Sequence, residues 1–196
     1  MKEAILRCSI EIQDHMGSAY QIRDQHAAYY FTFQVVGWAD VFSRQIYRDI
    51  IIESLKYCQT EKDMVLYAYV IMTNHVHLIV ASKTGDLSGL VRDFKKYTSK
   101  KILAAVHENK SESRREWLEM IFRYHAKFNK RAGAMQLWTH ENRAIEMNGN
   151  EMWDSRLAYI HQNPVRAGWV EEPDEYLYSS AKNYSGKKGL IAVEMI

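Results

Sequence analysis

Two histidines one residue apart, His75 and His77, sit in the apolar run HVHLIVA. If that run is a β-strand, residues two apart share a face, with Cα atoms about 7 Å apart at a rise of ~3.3–3.4 Å per residue. Both imidazoles can then meet one metal ion, while Val76, Leu78 and Val80 turn to an apolar layer. A lone His-x-His pair is as readily two surface or hydrogen-bonded histidines, so the spacing by itself leaves both readings open. Two imidazoles also leave a divalent site incomplete. Mg²⁺ or Mn²⁺ prefers near-octahedral coordination with oxygen ligands and water, so a third protein ligand has to come from elsewhere in the chain.

A candidate lies in the segment YIHQNP, where Tyr159 and Asn163 are four apart and share one face of a helix. The spacing predicts a helix over about Glu151 to Gln162, ending there because the residue before Pro164 is biased out of the α region. At that C-terminal end an amide oxygen of Asn163 could reach a cation, which the helix dipole also favours. A phenol with a pKa near ~10 is a weak nucleophile, but a metal that polarises a phosphodiester makes it competent. The resulting phosphotyrosine keeps the energy of the broken bond available for rejoining. With thirteen tyrosines in the chain, a packing role for Tyr159 stays open on chemistry alone.

The elements that must position these residues follow from periodicity. AYYFTFQVV, Ala28 to Val36, reads as a strand; from Ser43 to about Thr60 a helix is expected with Ile46, Ile50 and Leu55 inward. Met64 to Met72 and His75 to Ala81, separated by Thr73-Asn74, read as an antiparallel hairpin. Asp86 or Ser88 can cap a helix with Leu87, Leu90, Val91, Phe94, Thr98 and Ile102 as its buried stripe. Ser111 to about Asn129 is expected to be helical with Trp117, Ile121 and Phe128 inward. An edge strand is expected near Gln136 to His140, with a second near Ala144. The order strand, helix, hairpin, helix, strand, helix predicts an α+β fold: a ferredoxin-like antiparallel sheet with helices packed on one face.

With 196 residues, one domain is expected, over 25–185, with an N-terminal extension at 1–24 and a tail at 186–196. No apolar run approaches the ~20 residues of a membrane helix, and the start does not resemble a signal peptide, so a cytoplasmic protein is expected. Cys8 and Cys58 are far apart and lack metal-type spacing; Cys58 reads as a buried free thiol. The net charge of +2 hides a polarity, because Arg92 to Arg143 holds thirteen Lys or Arg against six Asp or Glu. That block is about +7 and the remainder about −5, which suits a polyanionic partner as well as it suits a solvated helical face. Arg92, Lys95 and Lys96 share one helical face and are the candidates for holding phosphate.

The motif YVIMTNHVHLIV, Tyr69 to Val80, resembles the HUH region of the single-tyrosine transposases (IS200-like), and YIHQNPVRAGWV, Tyr159 to Val170, is similar to the tyrosine helix of their REP-associated branch. The intervening LSGLVRDFKKYTSKKI is also similar, so the resemblance extends over most of Tyr29 to Tyr184. It implies the HUH endonuclease fold, His75 and His77 as ligands of Mg²⁺ or Mn²⁺, Asn163 completing the site, and Tyr159 attacking DNA to leave a 5′-phosphotyrosine. It further implies a homodimer and single-stranded DNA with an imperfect hairpin as substrate. The chain departs from a typical short member in Ser111 to Lys130 and in its N-terminal extension. Other readings are a domesticated DNA-binding protein without chemistry, and a metal-dependent phosphodiesterase in which water attacks and Tyr159 only packs. A replication initiator ranks lower, since the chain has no phosphate-cradling GxxxxGK[ST] loop.

Overall fold

In the computed structural model residues 21–129 and 131–196 are described; most of the expected N-terminal extension, with Cys8, lies outside them. β1 (Tyr29–Gln34), β2 (Met64–Ile71), β3 (His75–Ser82) and β4 (Ile145–Glu146) form one sheet in the order β2-β3-β1-β4, with every pairing antiparallel. This is the strand order of the ferredoxin-like layer, with β1 and β3 at its centre. The register sets Phe33 opposite Val76 and Phe31 opposite Leu78, while Thr32 faces His77 and Gln34 faces His75. Alternation then sorts the two central strands into an apolar face and a face carrying Tyr30, Thr32, Gln34, His75 and His77.

The apolar face is covered by α1 (Gln45–Glu61) and α2 (Leu87–Glu108). Phe94 of α2 packs on Phe33 at 5.9 Å between ring centroids, and Trp138 packs on both Phe33 and Phe42 while its indole N–H donates to Thr98. The stripe expected for α2 is buried throughout, and Asp86 caps the helix by accepting from the Gly89 N–H at 2.9 Å. The helix α1 turns one position from expectation. Tyr47, Ile51, Ile52, Leu55 and Cys58 are buried and Ile46 is exposed, because Tyr47 is drawn in to donate to the buried Glu112 carboxylate. Cys58 is a buried free thiol, and burial pushes it up to about 11.

The helix α3 (Arg115–Ala126) also turns otherwise than its most hydrophobic residues suggest. Leu118 and Phe122 are buried, whereas Trp117 is 43% and Phe128 73% exposed. Its approach is set by Arg114, which donates to Glu112 at 3.0 Å and to Asp40 at 2.8 Å and so ties the start of α3 to the loop after β1. The expected edge strand near Gln136 reduces to a single bridge between Val35 and Trp138, and β4 lies where the second was expected.

The helix α4 (Asn150–Arg166) runs through Pro164, beyond the expected end at Gln162. Burial of Ile160, His161 and Pro164 outweighs the bias against helix at the pre-proline residue. While α1 and α2 share one face, α4 lies against the other, where Trp153 meets Tyr67 edge-on at 5.0 Å. The chain beyond α4 then returns along β2. Ile71 donates to the Tyr178 carbonyl, Ser180 donates to the Tyr69 carbonyl, and Glu194 donates to the Leu66 carbonyl, with the short helix α5 (Ala181–Tyr184) between the last two contacts. No helix among the described residues is long and apolar enough to cross a membrane.

Replacing Phe122 by Ala should cost about 3–5 kcal/mol in urea unfolding, whereas Phe128→Ala should stay within about 0.5 kcal/mol, since only the first empties a buried site. Equal losses would show that α3 packs on its exposed aromatic side.

Candidate active site

The polar face of β1 and β3 forms the floor of a cleft of about 330 Å³, lined by Tyr30, Thr32, Gln34, Trp38, His75, His77, Arg143, Ile145, Arg156 and Tyr159. The two histidine rings lie 4.7 Å apart between centroids. Their Nδ1 atoms are occupied by protein. Asn74 Oδ1 is 2.6 Å from His75 Nδ1, and Tyr30 Oη and Thr32 Oγ1 are 2.7 and 3.0 Å from His77 Nδ1. Because Asn74 presents an acceptor, His75 Nδ1 carries the proton and its Nε2 keeps a lone pair. His77 Nε2 is buried with no hydrogen-bond partner. Protonated there, it would be a stranded donor; with the proton on Nδ1, it is a lone pair of the kind a cation takes.

Burial lowers His75 to about 4 and His77 to about 3, with the neighbouring imidazole adding to the second shift. Both rings are therefore neutral at physiological pH, which is the state a metal ligand needs. Burial likewise holds Tyr30 up at about 12, so its hydroxyl stays protonated beside His77. Among the described residues no group of three His, Cys, Asp or Glu side chains is placed to hold a metal. A third protein ligand would thus be an amide or hydroxyl. The orphaned Nε2, the neutral rings and the buttressed Nδ1 atoms fit a divalent cation bound through two imidazoles and completed by oxygen.

Tyr159 stands at the rim of this cleft, 39% exposed. Its ring is edge-on to His77 at 5.4 Å and to Tyr30 at 6.4 Å. One stripe of α4 supplies the surroundings: Arg156, Tyr159, Asn163 and Arg166 recur at helical spacing. The Arg156 guanidinium lies 5.0 Å from the Tyr30 ring centre. That of Arg166 lies 4.3 Å from the Tyr159 ring centre and donates to the Tyr159 carbonyl at 3.0 Å. None of the ion pairs among the described residues involves Arg143, Arg156 or Arg166, so two guanidiniums that line the cleft and a third packed on Tyr159 have no carboxylate in a salt bridge. Asn163 is not among the cleft-lining residues; its amide nitrogen is buried without a partner.

The height of Tyr159 above the sheet is fixed by a clasp two residues further along α4. His161 Nε2 is 2.9 Å from Ser180 Oγ, and Ser180 Oγ accepts the Tyr69 N–H at 3.0 Å, so the helix, the returning chain and β2 meet at one hydroxyl. Burial lowers His161 to about 4.

The cations expected to hold phosphate lie elsewhere. Lys95 points inward, donating to the Thr139 carbonyl and to Asn142 Oδ1 above the Phe33 ring, and burial lowers it to about 8. It fastens the loop before β4. Arg92 pairs with Asp93, and both Arg92 and Lys96 are exposed on the outer side of α2, outside the cleft. The cleft residues missed in the sequence were legible in part: period-two alternation puts Tyr30, Thr32 and Gln34 on one face, and helical periodicity aligns Arg156 and Arg166 with Tyr159. Trp38 and Arg143 sit in loops and carry no such signal.

Residues 26–122, from before β1 into α3, match the family described as IS200-like transposases, and the chain belongs to that family. The matched stretch holds the histidine pair and ends before α4. A solved REP-associated tyrosine transposase bound to a REP hairpin shares the fold at a TM-score of 0.53 and 17% identity, over 90% of this chain and 92% of that one. A bacterial tRNA(His) guanylyltransferase-like protein in complex with GTP is more distant, at a TM-score of 0.42 and 8% identity over 82% of this chain and 74% of that one. No curated protein matches the chain significantly.

The three desolvated imidazoles, His75, His77 and His161, give a pH dependence with a definite sign. Unfolded, they take up protons near pH ~6.5, while folded they refuse them until about pH 4, so the unfolded state binds more protons between these limits. Urea unfolding should show stability falling as pH drops from about 6.5 toward 4, and His161→Gln should flatten that slope. A slope unchanged by the substitution would show that His161 titrates normally in the fold.

Proposed function

We propose that the protein cleaves and rejoins single-stranded DNA, with Tyr159 as the nucleophile and His75 and His77 as ligands of Mg²⁺ or Mn²⁺. The observation that carries this reading is the exposed Tyr159 ring 5.4 Å from His77, over a cleft in which His77 Nε2 has no protein partner. Asn163 is the proposed third ligand through its amide oxygen, supported by its place four residues from Tyr159 on the same helical stripe. A bound cation supplies Lewis-acid polarisation of the scissile phosphate and stabilises the leaving oxygen.

The chain's own groups do the rest. Asn74, Tyr30 and Thr32 hold the two imidazoles in one tautomer and orientation through their Nδ1 atoms. Arg143, Arg156 and Arg166 supply positive charge for the phosphates on either side of the scissile bond. The Tyr159 phenol oxygen bonds to phosphorus as the P–O3′ bond breaks; the phenol proton ends on the departing 3′-hydroxyl and a 5′-phosphotyrosine remains. Attack by a 3′-hydroxyl reverses the sequence and rejoins the strand, so no external energy source is needed.

A hairpin-bearing strand is the proposed substrate, supported by the fold shared with the transposase whose structure holds a REP hairpin. Attack by Tyr159 at the histidine pair of its own subunit is the proposed arrangement, supported by the 5.4 Å approach of its ring to His77 and by the clasp through His161 and Ser180. The homodimer implied by the resemblance would then serve to bring two DNA ends together.

Incubation with labelled hairpin DNA from the flanks of its own gene, with Mn²⁺ or chelator, should give a denaturation-resistant adduct only with metal, and Tyr159→Phe should abolish it. Cleavage that survives Tyr159→Phe would favour attack by water, and specific binding without cleavage a DNA-binding role. Independently of activity, Mn²⁺ should raise the thermal midpoint of the wild type and not of His77→Ala, by about 3 kcal/mol of linkage at a hundredfold excess over Kd. An equal rise in both would remove His77 from the metal site.

A further inference from the structure

At the mouth of the cleft Trp38 is 63% exposed, and its backbone is left-handed at φ 55°. A bulky aromatic in that region is an outlier that persists only where the surroundings over-determine it. Here they do. Gly37, at φ 62°, gives α3 room, since a Cβ there would meet Ile121 and His125 at 3.0 and 3.1 Å. Trp38 itself donates its N–H to the Val35 carbonyl at 3.2 Å and accepts from Asn74 Nδ2 at 3.4 Å. Asn74 is the residue whose other amide atom holds His75. The fold thus tolerates local strain to put an indole outside the core, coupled through one side chain to the histidine pair.

The strain is concentrated at this site. Of the three non-glycine residues with positive φ among those described, Trp38 and Arg143 both line this cleft; Asp63 does not. A flat apolar ring beside unpaired guanidiniums matches the two parts of an unpaired nucleotide, a base to stack and a phosphate to neutralise.

We propose that Trp38 is a stacking platform for one unpaired nucleobase next to the phosphate that Tyr159 attacks, and so a positioning residue for the strand. This rests on the reading of the cleft as a site for single-stranded DNA. One stacked base would sit at a fixed place relative to His75, because Asn74 links the two, and the platform would tolerate different bases, since every base offers a π-face.

The test is titration of the full-length protein, in chelator, into fluorescein-labelled hairpin oligonucleotides from its gene's flanks, intact or with a single abasic site moved along the unpaired strand. On the intact strand Trp38→Ala should bind roughly 5-fold to 100-fold more weakly, and Trp38→Phe should lie within about 3-fold of wild type. At one abasic position wild type and Trp38→Ala should bind equally, because the base that distinguished them is gone. Trp38→Gly, which relieves the left-handed strain, should lose affinity like Trp38→Ala while its thermal midpoint stays level or rises, separating the effect from misfolding. Undiminished binding by Trp38→Ala, the same loss at every abasic position, or a change in oligomeric mass instead of affinity would overturn the platform alone. A wild-type protein that binds no single strand would overturn the reading beneath it as well.

Discussion

The site depends on a strand that is central and two-faced. β3 is hydrogen-bonded on both edges, to β1 and to β2, so neither its register nor its facing can slip without carrying hydrophobic side chains into the cleft. Val76, Leu78 and Val80 commit one face to the core. His75 and His77, by the same alternation, are committed to the other. What would otherwise be two flexible polar side chains become two imidazoles with centroids 4.7 Å apart on a rigid floor.

From this floor the remaining groups are placed by short-range polar contacts. β1 contributes Tyr30 and Thr32 to His77 because its register puts them across from Ile79 and His77. Asn74, in the hairpin turn, ties His75 to the loop carrying Trp38. The α4 helix has little intrinsic reason to lie across this face, since only Ile160, His161 and Pro164 along it are buried. It is held by the returning chain, through Ser180 at β2 and through Tyr176, whose hydroxyl donates to the Ile71 carbonyl at 2.8 Å. The tail beyond 186 continues this docking, with Ile191 buried and Gln59 donating to the Ala192 carbonyl.

Charge is distributed by the same logic. The basic block between Arg92 and Arg143 is real in the sequence but does not act as one surface. Lys95 is consumed in fastening a loop, Arg114 in holding Glu112 and Asp40, and Arg92 in pairing with Asp93. The cations that line the cleft are Arg143 at the end of that block and Arg156 beyond it, with Arg166 packed on the Tyr159 ring, the last two in a stretch whose net charge is acidic. Proximity in space, and the lack of a carboxylate partner, select them.

The edge strand expected near Gln136 reduces to one bridge, and the choice of Asp86 over Ser88 as cap came from the structure. Periodicity was enough for β1, the β2–β3 hairpin, the α2 stripe, the shared face of His75 and His77, and the stripe of α4 that holds Tyr159 and Asn163. Those features follow from local rules, two residues per repeat in a strand and 3.6 in a helix, which need no knowledge of the rest of the chain. Tertiary structure decided which side of α1 and α3 is inward, because buried polar partners such as Glu112 compete with simple hydrophobicity. It carried α4 through Pro164, turned Lys95 inward, and brought Trp38 and Arg143 from loops to the cleft in conformations no propensity would select. It also set Tyr159 beside His77, across a sequence separation that only the clasp between α4, Ser180 and β2 could close. Local energetics write the parts of this site, and long-range packing, which sequence pattern does not encode position by position, assembles them.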